Sequence, residues 1–319
     1  MREICVVRAV GHASRPGVLS VVAANSHDSA ATNIAAIVLF PGDISTAREL
    51  MARDPALAEW QAWSCQDLAL LLARRWPSCH TIVVHPPRSM DGFSCYDHWL
   101  RRLDETGDPV DGYDGVNGTA CSHLTAQLAH LQPSLPGFGK TSPLHMLGFS
   151  KGAVVLNQLL AELGGGEAAS GSDESRIELM GRVASWVWLD PGLNKEPGPI
   201  LLDHEPHLRG VASRMRARAL RPPPRLAVAL TPYQLQPQQP FLRSWRWRWR
   251  RWPPLVRRES AAAAARLRFE RVLSEEGVAV ACEDCLRKEP ATLATHFEVL
   301  NAFTAPWEEE GEEHTHERA

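Results

Sequence analysis

Leu144-His145-Met146-Leu147-Gly148-Phe149-Ser150-Lys151-Gly152 runs straight into Ala153-Val154-Val155-Leu156-Asn157-Gln158-Leu159-Leu160. Its first four residues form a short apolar run of strand length. Lys151 to Leu163 is apolar around most of a helical circumference, the pattern of a helix packed under a sheet. Between them, Gly148 to Gly152 fits G-x-S-x-G. In a sharp strand-to-helix turn that spacing sets the serine at the apex. The flanking glycines allow the backbones to approach, and the hydroxyl is lifted to the carboxyl edge of the sheet. The five-residue pattern alone is weak, because glycine and serine are common. The apolar strand before it and the apolar helix after it are the context the motif requires.

Outward from this turn, similar apolar runs end in turn residues. They are Ala35–Phe40 before Pro41-Gly42-Asp43, Thr81–His85 before Pro86-Pro87, Val183–Leu189 before Asp190-Pro191-Gly192, Arg225–Leu230 before Thr231-Pro232, and Gly277–Ala281. Continuous rather than alternating apolar runs suit strands buried on both faces of a parallel sheet. Helices are predicted between them over Asp54–Arg75, Ser122–Leu131, Lys151–Leu163 and Arg257–Glu276. This alternation predicts an α/β-hydrolase fold, a doubly wound, mostly parallel sheet with flanking helices.

Composition agrees with one ordinary globular domain. The 319 residues are 44% hydrophobic and 22% charged, with a net charge of -3. That balance argues against a nucleic-acid partner. Seven scattered cysteines do not form a disulfide framework and point to a reducing compartment. No apolar stretch reaches membrane-spanning length, and the first residues do not read as a secretory signal. Residues 1–30 are expected to be a segment outside the domain, partly ordered and only faintly like a targeting sequence. Residues 31–305 form the predicted domain, and residues 306–319 an acidic, disordered tail. Residues 191–224 are an insert where such folds often carry a lid.

A serine hydroxyl needs a base and the base needs an orienting acid; in this fold the acid and then the histidine follow the serine in sequence. His204 and His207 lie in a polar segment, and His314 and His316 in the tail. His296 follows the last strand and opens a terminal amphipathic stretch, so it is the predicted base. Asp190 ends the strand after the elbow helix, at the same sheet edge as Ser150, and is the predicted acid, with Asp203 in reserve. The oxyanion hole needs two backbone N–H groups. Lys151 supplies one; the other comes from Gly42 or Asp43, since Pro41 has none.

These segments resemble an uncharacterised eukaryotic family of α/β-hydrolase-like proteins whose animal members are described as mitochondrial. The resemblance is carried by Leu39–Asp43, Phe93-Ser94-Cys95-Tyr96, Gly148–Gly152 with Val154–Leu160, Trp188-Leu189-Asp190, Thr231-Pro232-Tyr233-Gln234, Arg243-Ser244-Trp245 and His296-Phe297. It implies the hydrolase fold, the triad Ser150, Asp190 and His296, and a mitochondrial location; without it, the chain reads as cytoplasmic. Where the family has Gly-Gly-His after the aspartate, this chain has Pro191-Gly192-Leu193.

Two motifs stand apart. In Trp245-Arg246-Trp247-Arg248-Trp249-Arg250-Arg251-Trp252, a helix would put Trp245, Trp249 and Trp252 on one face. The plainer reading is an outer helix covering the sheet with its tryptophans; the second is peripheral contact with a membrane surface. Cys282-Glu283-Asp284-Cys285 lacks the second ligand pair of a zinc site. The sequence therefore predicts a serine hydrolase that needs no cofactor and takes a small-molecule acyl substrate, an ester, thioester or amide. The alternative is a catalytically silent hydrolase-fold protein acting as an interaction or regulatory module at a membrane surface.

Overall fold

The computed structural model describes residues 3–25, 32–165, 173–193, 200–217, 223–236 and 260–308. The strands described are β1 (Cys5–Val10), β2 (Pro16–Val22), β3 (Ala36–Phe40), β4 (His80–Val84), β5 (Arg88–Met90), β6 (Phe93–Cys95), β7 (Leu144–Phe149), β8 (Val183–Leu189), β9 (Arg225–Leu230) and β10 (Val280–Asp284). The helices are α1 (Arg48–Arg53), α2 (Cys65–Arg75), α3 (Ala120–Leu131), α4 (Ala153–Gly164), α5 (Asp173–Arg182), α6 (Glu205–Ala217), α7 (Pro232–Leu235), α8 (Ala261–Glu275) and α9 (Leu293–Ala302).

Eight strands form one sheet in the order β1-β2-β4-β3-β7-β8-β9-β10, and β5 and β6 make a separate hairpin. The β1/β2 and β2/β4 pairs are antiparallel, and every other pair in the large sheet is parallel. This is the α/β-hydrolase fold: a mostly parallel sheet with helices on both faces and the G-x-S-x-G turn at the end of a central strand.

The continuous apolar runs have the cause predicted for them. Alternate residues of each strand serve two different cores. Val38, Phe40, Met146, Trp186, Trp188 and Val228 face the layer of α3, α4, α6 and α8. Ile37, Leu39, Leu147, Phe149, Val187 and Leu189 face the layer of α2 and α9. Helix α4, sequestered in the first layer, is buried along almost its whole length.

Several expectations are corrected. The helix predicted over Asp54–Arg75 starts late: α1 ends before it at Arg53, Ala58–Trp63 is a 3-10 segment, and only Cys65–Arg75, α2, is α-helical. Asp54 precedes Pro55, which disfavours helical backbone at Asp54. Ser64 then caps a new helix by accepting the Asp67 N–H. Residues 5–22, expected outside the domain, supply β1 and β2 and join the sheet beside β4. The last strand lies a few residues later than expected, because Gly277 takes φ +74 in the turn that ends α8. In the insert expected to be a lid, α6 is a crossover helix with Leu208, Val211 and Met215 buried against the core. The tail boundary also moves. The Trp307 ring stacks 4.2 Å from that of His145, and Glu308 accepts the Trp76 indole N–H at 2.7 Å. Residues 309–319 and the Trp/Arg-rich stretch 245–252 lie outside the described residues. The seven cysteines form no disulfide; Cys282 is exposed and Cys285 buried.

Of the five histidines buried among the described residues, three are held most strongly in the neutral form, His85, His123 and His145. His85 bonds Ser20 at 2.8 Å, His145 bonds Ser185 at 2.9 Å, and His123 lies in α3. Burial pushes all three down from the usual 6.5 to about 4, with nearby positive groups helping at His123. The unfolded chain therefore binds these protons first as pH falls. Stability should be intact above pH 6.5 and lost between 6.5 and 4, by up to about 1.4 kcal/mol per pH unit for each imidazole. Urea midpoints measured between pH 7 and pH 5 should fall, with a shallower slope for His145→Gln; a flat profile would contradict this assignment.

Candidate active site

The turn after β7 is shaped by three close approaches. A Cβ on Gly148 would lie 2.9 Å from Ala153 Cα, and one on Gly152 would lie 1.9 Å from the Phe40 carbonyl oxygen. A Cβ on Gly42 would lie 2.5 Å from Ser150 Cβ and 3.1 Å from Ser150 Oγ. No side chain fits at any of the three positions. The elbow is thus pressed against the end of β3, and the Gly42 backbone faces the serine. Ser150 itself takes φ +51, the strained conformation a nucleophile elbow imposes on its apex. It is half-buried, while Phe149 and Lys151 on either side are buried.

The loop after β3 is held from one place. Ser94 donates its N–H to Asp43 Oδ1 and its hydroxyl to the Gly42 carbonyl, both at 2.8 Å. The Tyr96 hydroxyl donates to the Pro41 carbonyl at 2.6 Å. Both residues come from β6 and the residue after it, the Phe93-Ser94-Cys95-Tyr96 stretch. The sequence marks that stretch only through the family resemblance and carries no signal for what it holds.

Asp190 follows β8 with φ +47 and is fully buried. Its Oδ1 accepts the Thr231 N–H at 2.6 Å, and its Oδ2 accepts the Thr231 hydroxyl and the His296 Nδ1–H, the latter at 2.7 Å. A buried carboxylate requires such donors, and here they arrive from the end of the neighbouring strand and from α9. Reading the sequence assigned Thr231 no part in holding Asp190. Beyond Pro191, Gly192 packs so closely on Gln234 that a Cβ would meet its amide nitrogen at 2.4 Å.

His296 lies in the first turn of α9, whose N-terminus Thr292 caps by accepting the Thr295 N–H. Its ring packs 4.6 Å from Phe149 and 4.6 Å from Tyr233, so the imidazole is walled by the residue before Ser150 and by α7. The helix is fixed at both ends. Phe297 stacks on Trp60 and Trp63, and Arg75 donates to the carbonyls of Leu300 and Phe303, both at 2.8 Å, at the negative end of α9. The structure thus brings Ser150, Asp190, His296, Lys151, Gly42 and Asp43 to one edge of the sheet. Asp203, His204 and His207 instead line a cavity of about 510 Å³ that none of the three triad candidates borders. Among the described residues, no group of three metal-ligating side chains occurs and no helix is long and apolar enough to cross a membrane.

The model that describes the C2orf69 family matches residues 11–138 and 136–239. The zebrafish (Danio rerio) mitochondrial protein C2orf69 homolog is 30% identical over 285 residues, spanning 84% of this chain and 72% of that protein. The mouse (Mus musculus) homolog is 26% identical over 207 residues, 49% of this chain and 54% of that one. Among solved structures, similar chains include an acylaminoacyl peptidase of Pyrococcus horikoshii and poly(aspartic acid) hydrolase-1 of Sphingomonas sp. KT-1. The first has a TM-score of 0.49 at 11% identity and covers 94% of this chain and 38% of that one. The second has a TM-score of 0.48 at 13% identity and covers 92% and 96%.

Thr231→Val keeps the shape of the side chain and the backbone donor but removes the hydroxyl, which donates to a buried carboxylate and also accepts the Tyr233 N–H at 3.2 Å. Urea unfolding should show a loss of about 2 kcal/mol, the range for hydrogen bonds to charged groups. An unchanged midpoint would mean that the hydroxyl does not support Asp190.

Proposed function

The chain belongs to the C2orf69 family, and within it we propose that this protein is a serine hydrolase cleaving an ester, thioester or amide through Ser150, Asp190 and His296. The observation that carries the reading is the buried 2.7 Å bond between His296 Nδ1 and Asp190 Oδ2, made at the end of β8, whose neighbour β7 leads into a serine held at φ +51. An aspartate so placed keeps the proton on Nδ1 and leaves Nε2 as the free base. A structural histidine would not need an acid from another strand end, with that acid itself held by two further donors.

The chemistry follows. Ser150 Oγ attacks the acyl carbon while its proton passes to His296 Nε2. The carbonyl π pair moves to oxygen, and the resulting oxyanion is held by the Lys151 N–H together with the Gly42 or Asp43 N–H. Collapse expels the alcohol, thiol or amine, which leaves with the proton from His296. Water, deprotonated by the same histidine, then releases the acid and restores Ser150. Asp190 orients the imidazole and stabilises its cation without taking the proton. A small acyl compound is the proposed substrate. Mitochondrial location is carried over from the names of the relatives, and peripheral membrane contact through Trp245, Trp249 and Trp252 is proposed from sequence alone.

Purified protein treated with a fluorophosphonate should be labelled at Ser150, and Ser150→Ala should abolish the label. His296→Ala should slow labelling by about 100-fold or more, the contribution typical of a general base. A folded protein that takes no label, or takes it equally without His296, would leave the interaction-module reading in its place.

A further inference from the structure

The residue that follows the candidate nucleophile carries a charge into the interior. The Lys151 side chain is 1% exposed and forms an ion pair with Asp108, whose side chain is 6% exposed. Lys151 Nζ also donates to the Thr106 carbonyl at 3.3 Å. Removing both ions from water is costly, and an apolar pair of similar volume is often as stable or more so. Stability alone therefore does not account for a buried ammonium at this position.

The segment that supplies Asp108 is itself tied down. Asp104 Oδ1 accepts the N–H groups of Thr106 at 2.8 Å and Asp108 at 3.0 Å, and the Asp104 N–H returns to the Asp108 carbonyl at 3.0 Å. Gly107, at φ +78, presses on β6: a Cβ there would fall 2.4 Å from the Ser94 carbonyl oxygen and 3.2 Å from Cys95 Sγ. Ser94 in turn holds both Gly42 and Asp43. A continuous path thus leads from Lys151 through Asp108, the 104–108 turn and Ser94 to Gly42 and Asp43. Its two ends carry the amides assigned to the oxyanion hole, and they meet at Ser150, where Gly42 abuts the serine Cβ.

We propose that the Lys151–Asp108 ion pair is a positioning device for the oxyanion hole, setting the Lys151 N–H and the Gly42–Asp43 loop in register across Ser150. The inference rests on the hydrolase reading above. Lys151 thereby has two separate roles: its amide faces the developing oxyanion and its side chain aims that amide. An oxyanion-hole donor acts only where the oxyanion will form, so a small displacement removes most of its effect, and a lost donor costs about 100- to 1,000-fold.

The test replaces both charges together, Lys151→Met with Asp108→Leu, which leaves no unpaired ion and keeps the Lys151 amide. Fluorophosphonate labelling of Ser150 should slow by roughly 10- to 100-fold, with a similar loss of affinity for phenylboronic acid, which forms a tetrahedral adduct on serine. The thermal midpoint should be retained, because a purely structural pair would move the midpoint and not these two measurements. Labelling and boronate affinity within about twofold of the parent protein would overturn the proposal. If the double variant does not fold, Asp108→Asn, which keeps the shape and an acceptor oxygen, decides by the same two measurements. Absence of labelling in the parent protein removes the hydrolase reading and this inference with it. Equal labelling of parent and variant removes this inference alone.

Discussion

Two backbones come nearly into contact where the turn after β7 meets the end of β3, and the rest of the site depends on that approach. A methyl group at Gly152 would sit inside the Phe40 carbonyl, and one at Gly42 would strike Ser150. With no side chain between them, the serine and the loop after β3 have little freedom to separate. The turn's strain, visible in the φ of +51 at Ser150, is sustained by the near-complete burial of β7 and α4 on either side. A strained backbone persists only where its surroundings over-determine it, and a central parallel strand running into a sequestered helix provides that.

The candidate acid and base reach this turn by a different route. Asp190 and His296 are 106 residues apart. Parallel pairing of β7 with β8 and of β8 with β9 brings Phe149 opposite Leu189 and Leu189 opposite Ala229. The residues that follow, Ser150, Asp190 and Thr231, therefore emerge at one edge. Asp190 collects its donors there, so its burial and its orientation have one cause. His296 is brought in from the other layer by α9, which packs through Phe297 and Leu300 and is tied to α2 by Arg75. Side chains that never touch the site, Trp60 and Trp63 among them, keep the imidazole in place.

Around this centre a second set of contacts governs the loop after β3. The β5–β6 hairpin lies outside the main sheet, yet Ser94 and Tyr96 fasten three consecutive residues of that loop, Pro41, Gly42 and Asp43. The buried Lys151–Asp108 pair approaches the same loop from the elbow side. The hydrolase sheet sets where the elbow lies, while the peripheral turns at 88–96 and 104–108 set how the backbone around it is aimed.

The parallel strands and the glycine-flanked turn were readable in the residues alone, and Ser150, Asp190 and His296 were named there as candidates. Continuous apolar runs ending in Gly, Pro or Asp are the local mark of strands buried on two faces, and a glycine-flanked serine between such a run and an apolar helix has few other uses. Strands β1 and β2 were not legible, because β1 is an edge strand with most residues exposed and β2 is buried only over Leu19–Val22, where it pairs with β4. That Pro55 holds Asp54 out of helical backbone was present in the sequence but outweighed by the helix-forming residues that follow. Thr231, Ser94, Tyr96 and Asp108 act through partners 41 to 55 residues away, and no local pattern records a contact closed over that distance. What the sequence by itself determined was the kind of fold and the identity of the candidate nucleophile, since both follow from short-range periodicity and turn chemistry. Which carboxylate holds the histidine, and which buried groups hold the loop after β3, were decided only when the parallel register set distant strand ends side by side.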